Sequence, residues 1–215
     1  MTLPLFADQA QSSREQLGKQ AWVLRGFALE QAGEILASIG RIAAQAPFRQ
    51  MSTPGGFTMS VALSNCGSLG WTSDAHGYRY TPLDPLTDTP WPALPAQLLS
   101  LAASAAWAAG FPGFVPNACL LNRYLPGSRL SLHQDRNERD FSAPIVSVSL
   151  GMGAVFLFGG HKRSDRTARI PLLHGDVAVW GGEDRLRYHG ILPLKDQPHP
   201  ATGNLRYNLT FRKAG

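Results

Sequence analysis

The residues best equipped for chemistry lie in Leu130–Asp140, "LSLHQDRNERD", where an aliphatic alternation runs into a polar, charged stretch. His133 and Asp135 stand one residue apart at the end of what reads as a β-strand. In an extended segment, residues i and i+2 share a face, so the imidazole and the carboxylate converge. Together they supply two ligands of a metal site, although a His-x-Asp pair also arises by chance. The third ligand has five candidates: His76, His161, His174, His189 and His199. His189 stands out, because "RLRYHGIL" puts it at the start of a β-type run and Gly190 permits close backbone approach. His174, in "LLHGDVAVW", is the competitor, and a turn-capping role beside Gly175 accounts for it. With His189 the set becomes a face of two imidazoles and one carboxylate. Such a face leaves coordination positions open for a chelating 2-oxo acid and O₂. It suits non-haem Fe(II) better than a closed structural zinc site.

The strand "LRYNLTFR" carries a second signal. Tyr207, Leu209 and Phe211 alternate with Arg206, Asn208, Thr210 and Arg212. A solvated polar face is the plain explanation. The sharper one turns Arg206 and Arg212 into the interior, where buried guanidinium groups need anions. No acid neighbours this strand in sequence, so the anion would be a ligand, and guanidinium binds a carboxylate bidentately.

These side chains need a scaffold. From Ala118 onward the chain reads as short β-type runs: "ACLLNRYL", "APIVSVSLG", "AVFLFGG", "ARIPLLHGDVAVWGG", "RYHGILPL" and "LRYNLTFRK". Short strands parted by Gly, Pro and charged turns predict an antiparallel jelly roll with an open mouth. Upstream, Glu30–Gln45 spaces Ile35, Leu36, Ile39, Ile42 and Ala43 as one helical face, and Pro95–Gly110 reads as a second helix. Between them, Met51–Trp91 is rich in Gly, Pro, Ser, Thr and aromatics, and reads as a surface loop system laid across the barrel. The fold class expected is therefore α+β, mainly β: a double-stranded β-helix with N-terminal supporting helices.

At 215 residues with 44% hydrophobic content, the chain can bury one sizeable core. The net charge of +5 fits a polyanionic partner, and it is spread in clusters such as Lys162-Arg163, Arg166-Arg169, Arg185-Arg187 and Arg212-Lys213. Two cysteines, Cys66 and Cys119, exclude a thiolate zinc ribbon and a disulfide framework, which suits a reducing cytoplasm. No basic-then-apolar leader opens the chain and no apolar run reaches membrane length, so a soluble cytoplasmic protein without a membrane partner is expected.

The segments "FRQMSTPGGFTMSVALSNCGSLGW", "NACLLNRYLPGSRLSLHQD", "APIVSVSLG", "HGDVAVWGGEDRLRYHGI" and "RYNLTFR" resemble, in order and over almost the whole chain, the AlkB family of Fe(II)- and 2-oxoglutarate-dependent nucleic-acid demethylases. The resemblance implies one dioxygenase domain over 1–215. Within it, 1–117 would hold the helices and a nucleotide-recognition lid (47–91), and 118–215 the catalytic jelly roll. It implies His133, Asp135 and His189 as iron ligands. Arg206 would pair with the distal carboxylate of 2-oxoglutarate, Arg212 would sit nearer the metal-bound end, and Asn122, Tyr124 and Asn208 would also hold this co-substrate. Trp71 would stack on a flipped base opposite His133, Tyr78 would contact backbone phosphate, and Arg163 would lie near the base and its flank. Met59 and Thr53 would line the pocket. Where the bacterial form of the family carries a second acid two residues beyond the iron-binding aspartate, this chain has Asn137 followed by Glu138, both expected near the base.

The activity implied is oxidative repair of 1-methyladenine- and 3-methylcytosine-type lesions in single-stranded DNA, with double-stranded DNA and RNA as further substrates, by a monomer. Fe(II), 2-oxoglutarate and O₂ would give succinate, CO₂ and a hydroxylated methyl group that leaves as formaldehyde. Two other readings compete: the same iron centre acting on a small molecule or protein side chain, and a metal-free nucleic-acid-binding module.

Overall fold

The computed structural model describes residues 13–215. Its strands and helices follow in the order β1 (Arg14–Gly18), β2 (Ala21–Leu24), α1 (Ala32–Gln45), β3 (Arg49–Ser52), β4 (Thr58–Gly67), β5 (Gly70–Asp74), β6 (Gly77–Thr81), β7 (Leu83–Asp84), β8 (Thr89–Pro90), α2 (Ala96–Ala108). The remaining strands are β9 (Ala118–Tyr124), β10 (Leu130–His133), β11 (Ile145–Gly151), β12 (Ala154–Phe158), β13 (Ala168–Leu172), β14 (Val177–Trp180), β15 (His189–Ile191) and β16 (Arg206–Arg212). They form an eight-stranded sheet, β1-β2-β14-β11-β16-β9-β4-β3, and a four-stranded sheet, β10-β15-β12-β13. Every pairing within them is antiparallel. Among the described residues, no helix is long and apolar enough to cross a membrane.

Period-two alternation in the large sheet feeds two separate cores. One face sends Val146, Val148, Leu150, Leu209 and Phe211 against α1 and α2, where Ile35, Ile39, Ile42, Leu98 and Leu101 are buried. The opposite face meets the small sheet through Ile145, Tyr124, Trp180, Phe156, Phe158 and Ile191. The helices therefore brace the outside of the large sheet, as their apolar spacing predicts. The polar face of β16 points between the two sheets, where Arg206, Asn208, Thr210 and Arg212 are all buried. It does not meet solvent.

One expectation is corrected here. The span Met51–Trp91 is not a loop system laid over the barrel, because β4 runs ten residues and pairs with β9 from Ala62↔Arg123 to Gly67↔Ala118. Four strands of the large sheet, β1 to β4, come from the first 117 residues, so no architectural boundary falls at 117/118. The alternation in "TMSVALSNCG" satisfies a sheet, and the surrounding Gly, Ser and Thr obscure it in sequence. The β5–β6 hairpin forms a separate two-stranded sheet, with Thr72 and Ser73 of β5 buried.

Candidate active site

His133 ends β10 and His189 opens β15, and the two are cross-strand partners. Between Leu130 and His133 the register slips by one residue, a bulge that re-aims the end of the strand. A methyl group on Gly190 would lie 2.7 Å from the Leu130 carbonyl, so β10 approaches β15 this closely only because that residue is glycine. The ring centroids of the two histidines are 4.4 Å apart. Each holds its Nδ1 against a carbonyl, His133 to Ser131 at 2.8 Å and His189 to Arg187 at 2.9 Å. With Nδ1 as donor, both imidazoles present Nε2 as a free ligand. Those nitrogens lie 3.7 and 3.8 Å from the two carboxylate oxygens of Asp135.

Asp135 lies beyond the end of β10, not on it, so strand geometry does not aim its side chain. Three longer-range bonds do. Arg212 grips Oδ2 through Nη2 and Nε at 2.7 and 3.0 Å, and Arg185 donates to the Asp135 carbonyl at 2.7 Å. Burial opposes ionisation of Asp135, but Arg212 and the two histidines outweigh it and hold the carboxyl well below the usual range. His189 is pushed down to about 3, first by burial and then by His133 beside it, so it is a neutral ligand at physiological pH. The three ligand atoms lie within 4.8 Å of one another. This donor set of two imidazoles and one carboxylate fits Fe(II).

The arginines of β16 have different surroundings. Arg212, while its Nη1 lacks a partner, has found protein acids, Asp135 and also Glu138 at 3.4 Å. Arg206 has none. It is 1% exposed, lies 4.8 Å over the Tyr124 ring and donates to Ser149 Oγ at 3.0 Å, while its Nε and Nη1 lack partners. A buried guanidinium with two unpaired nitrogens facing a cavity fits one carboxylate of 2-oxoglutarate. Asn208 and Asn122 complete this wall, the Asn122 amide donating to Asn208 Oδ1 at 3.1 Å.

A cavity of about 890 Å³ joins these groups to the surface. Its wall includes Asn122, Tyr124, Arg206, Asn208, Arg212 and the three ligands in depth, with Thr53, Met59, Trp71, Tyr78, Asn137 and Arg163 towards the mouth. Trp71 is positioned by Asn65, which bonds both its amide and its carbonyl, at 2.9 and 3.0 Å. Tyr78 stacks against it with centroids 5.6 Å apart, and the Trp71 indole donates to Asn137 Oδ1 at 3.3 Å. Glu138 is the exception among the residues singled out in sequence. It is buried away from the cavity, accepting from Tyr80 at 2.6 Å and from Arg185 at 3.1 Å. Arg185, read in sequence as part of a surface charge cluster, is 2% exposed. It is the residue that sequence reasoning missed, since its partners lie 42 to 50 positions away. His174 does not join the ligands; its Nδ1 accepts the Gly151 amide at 2.9 Å, a turn contact.

Fold and site together define an Fe(II) dioxygenase that uses a 2-oxo acid. The chain belongs to the 2OG-Fe(II) oxygenase superfamily, whose family model matches residues 20–212. More finely, it is similar to the proteins named alpha-ketoglutarate-dependent dioxygenase AlkB in Salmonella typhimurium and Escherichia coli. The first is 62% identical over 212 residues and the second 58% over 213, each covering 99% of this chain and 98% of the relative. The solved structure of OsALKBH1 shares the fold with a TM-score of 0.83 at 24% identity, covering 94% of this chain and 100% of that one.

Proposed function

We propose that this enzyme removes N-linked methyl groups from nucleic-acid bases, 1-methyladenine and 3-methylcytosine among them, and so repairs alkylated DNA directly. The observation that carries the reading is one continuous cavity with the ligand triad and Arg206 at its depth and the Trp71–Tyr78 aromatic pair at its mouth. A base can reach such a site only by leaving its stack, and flat side chains replace the stacking it loses. A small-molecule substrate would need neither the exposed aromatic rim nor the surplus of positive charge.

Bound Fe(II) supplies the oxidising chemistry by which O₂ and 2-oxoglutarate give succinate, CO₂ and a hydroxylated methyl group, released as formaldehyde. The protein's own work is positioning. His133, Asp135 and His189 would hold the metal, with the carbonyls of Ser131 and Arg187 fixing the two rings. Arg206 would take the distal carboxylate of 2-oxoglutarate, with Asn122, Tyr124 and Asn208 shaping the surrounding wall. Trp71 would cover the base opposite His133, while Thr53, Met59 and Asn137 border it and Arg163 and Tyr78 approach its flanks. Glu138 acts at one remove, by orienting Tyr80 and Arg185.

Single-stranded DNA is the substrate this reading favours, since it requires no base pair to be broken. The reading extends to RNA and duplex DNA as further substrates and to a monomeric enzyme of the cytoplasm. Its test is formaldehyde and succinate release from an oligonucleotide bearing 3-methylcytosine, each dependent on Fe(II) and 2-oxoglutarate. Succinate formation without any loss of the base's methyl group would overturn it.

A further inference from the structure

A second cleft, of about 1050 Å³, opens beside the first. Leu17, Leu132 and Phe158 contribute its apolar lining, and Arg166, Arg169 and Arg187 its charge, with Asp165 the one acid. Asp165 is engaged, accepting the Lys162 amide at 3.0 Å. Arg187 is engaged as well, its Nε lying 2.7 Å from Asp184. Arg166 and Arg169 are exposed, and neither forms an ion pair among the described residues.

The cleft adjoins the catalytic cavity. Leu132, the residue before the first histidine ligand, lines both. One rung of the small sheet runs His133↔His189↔Phe158↔Ala168, so the level of the ligands crosses the sheet to the edge strand that carries Arg169. Three strand spacings make that crossing roughly 14 Å. A chain whose target nucleotide enters the first cavity therefore has its neighbouring phosphates within reach of the second.

We infer that this cleft binds the phosphodiester backbone of the lesion-bearing strand, outside the nucleotide held in the active site, through Arg166 and Arg169. The inference rests on the nucleic-acid reading above. The chemistry is that of phosphate recognition: guanidinium forks meet non-bridging oxygens two at a time, and an open cleft leaves the phosphates partly hydrated. The apolar floor suits sugar carbons. No base edge is read here, so the contact adds affinity without adding sequence preference.

The experiment compares wild type with Arg166→Gln/Arg169→Gln on a trinucleotide, on a long single strand and on a duplex, each with a central 3-methylcytosine. Turnover of the trinucleotide is expected to be the same in both proteins. Affinity for the long strand is expected to fall several-fold at low salt. The slope of log affinity against log salt should become shallower by about 1.4, from about 0.7 per phosphate contact on single strands. An unchanged slope would overturn the inference. So would a loss confined to duplex substrate, which would assign the cleft to the complementary strand. Failure of wild type to demethylate either single-stranded substrate would instead undo the functional reading beneath it.

Discussion

At the scale of single residues, the site divides into groups that hold ligands and groups that hold those groups. His133→Ala and His189→Ala remove a metal ligand but leave the buried Asp135–Arg212 pair intact, so both should lose bound iron and succinate formation while unfolding as cooperatively as wild type. Asp135→Ala should do more damage. It leaves Arg212 buried without its nearest carboxylate, a loss of about 3–5 kcal/mol when one partner of a buried pair goes. Chemical denaturation separates the two classes, and equal stability in all three variants would count against Arg212 depending on Asp135. Arg206→Ala is the counterpart on the co-substrate side. Removing one half of a buried charged contact costs about 2–5 kcal/mol, so the KM for 2-oxoglutarate should rise roughly 30-fold or more, with oligonucleotide affinity nearly unchanged. Equal damage to both affinities would place Arg206 against nucleic acid. Asn137 touches Trp71 and borders the cavity without carrying charge. Asn137→Asp should raise the preference for cationic 3-methylcytosine over neutral 1-methylguanine, measured as a ratio of kcat/KM, and an unmoved ratio would remove Asn137 from base recognition.

At the scale of elements, the aromatic rim depends on how β3 to β8 are pinned to the barrel. Arg49 of β3 clasps Asp84 of β7 through two bonds of 2.6 and 2.5 Å, with Trp91 beneath the guanidinium. Burial of Asp84 favours its neutral form, but the bonds from Arg49 and from the Leu86 amide prevail and its pKa is lowered. A lowered carboxylate pKa contributes stability above the unfolded value and loses it as pH falls through the folded one. Asp84→Asn should therefore be less stable than wild type at neutral pH, and the gap should narrow below about pH 4. Urea midpoints at the two pH values measure this; a constant gap would mean that the pair contributes no charge-dependent stability. The same elements show what a sequence can and cannot disclose. The alternation of β16 and the placement of His189 were legible, because period two and a Gly neighbour are local signals. The role of β4 was hidden, since its polar positions match the loop-like composition around it. Glu138 and Arg185 were illegible for a different reason. Forty-seven positions separate them, and no local pattern records which distant charge a buried charge will meet.

At the scale of the whole molecule, the two sheets enclose an unusual concentration of fixed charge. Arg185, Arg206 and Arg212 are buried around the site together with only two buried carboxylates, Asp135 and Glu138, while His189 is neutral. The protein alone thus stores one surplus positive charge beside the position meant for a dication. Alone, Fe(II) would raise that surplus to three; a 2-oxoglutarate dianion bound with it restores it to one. Metal and co-substrate are consequently linked thermodynamically, each relieving the electrostatic cost of the other, and linkage is reciprocal. In anaerobic titrations, 2-oxoglutarate should tighten Mn(II) binding by a factor between about 5 and 150, the span of typical coupling energies. Mn(II) should tighten 2-oxoglutarate binding by the same factor. Two independent affinities would show that the surplus is dissipated elsewhere. If the linkage holds, the unpaired guanidinium of Arg206 does more than recognise a carboxylate: it keeps the resting protein from accumulating iron without the co-substrate that makes iron productive.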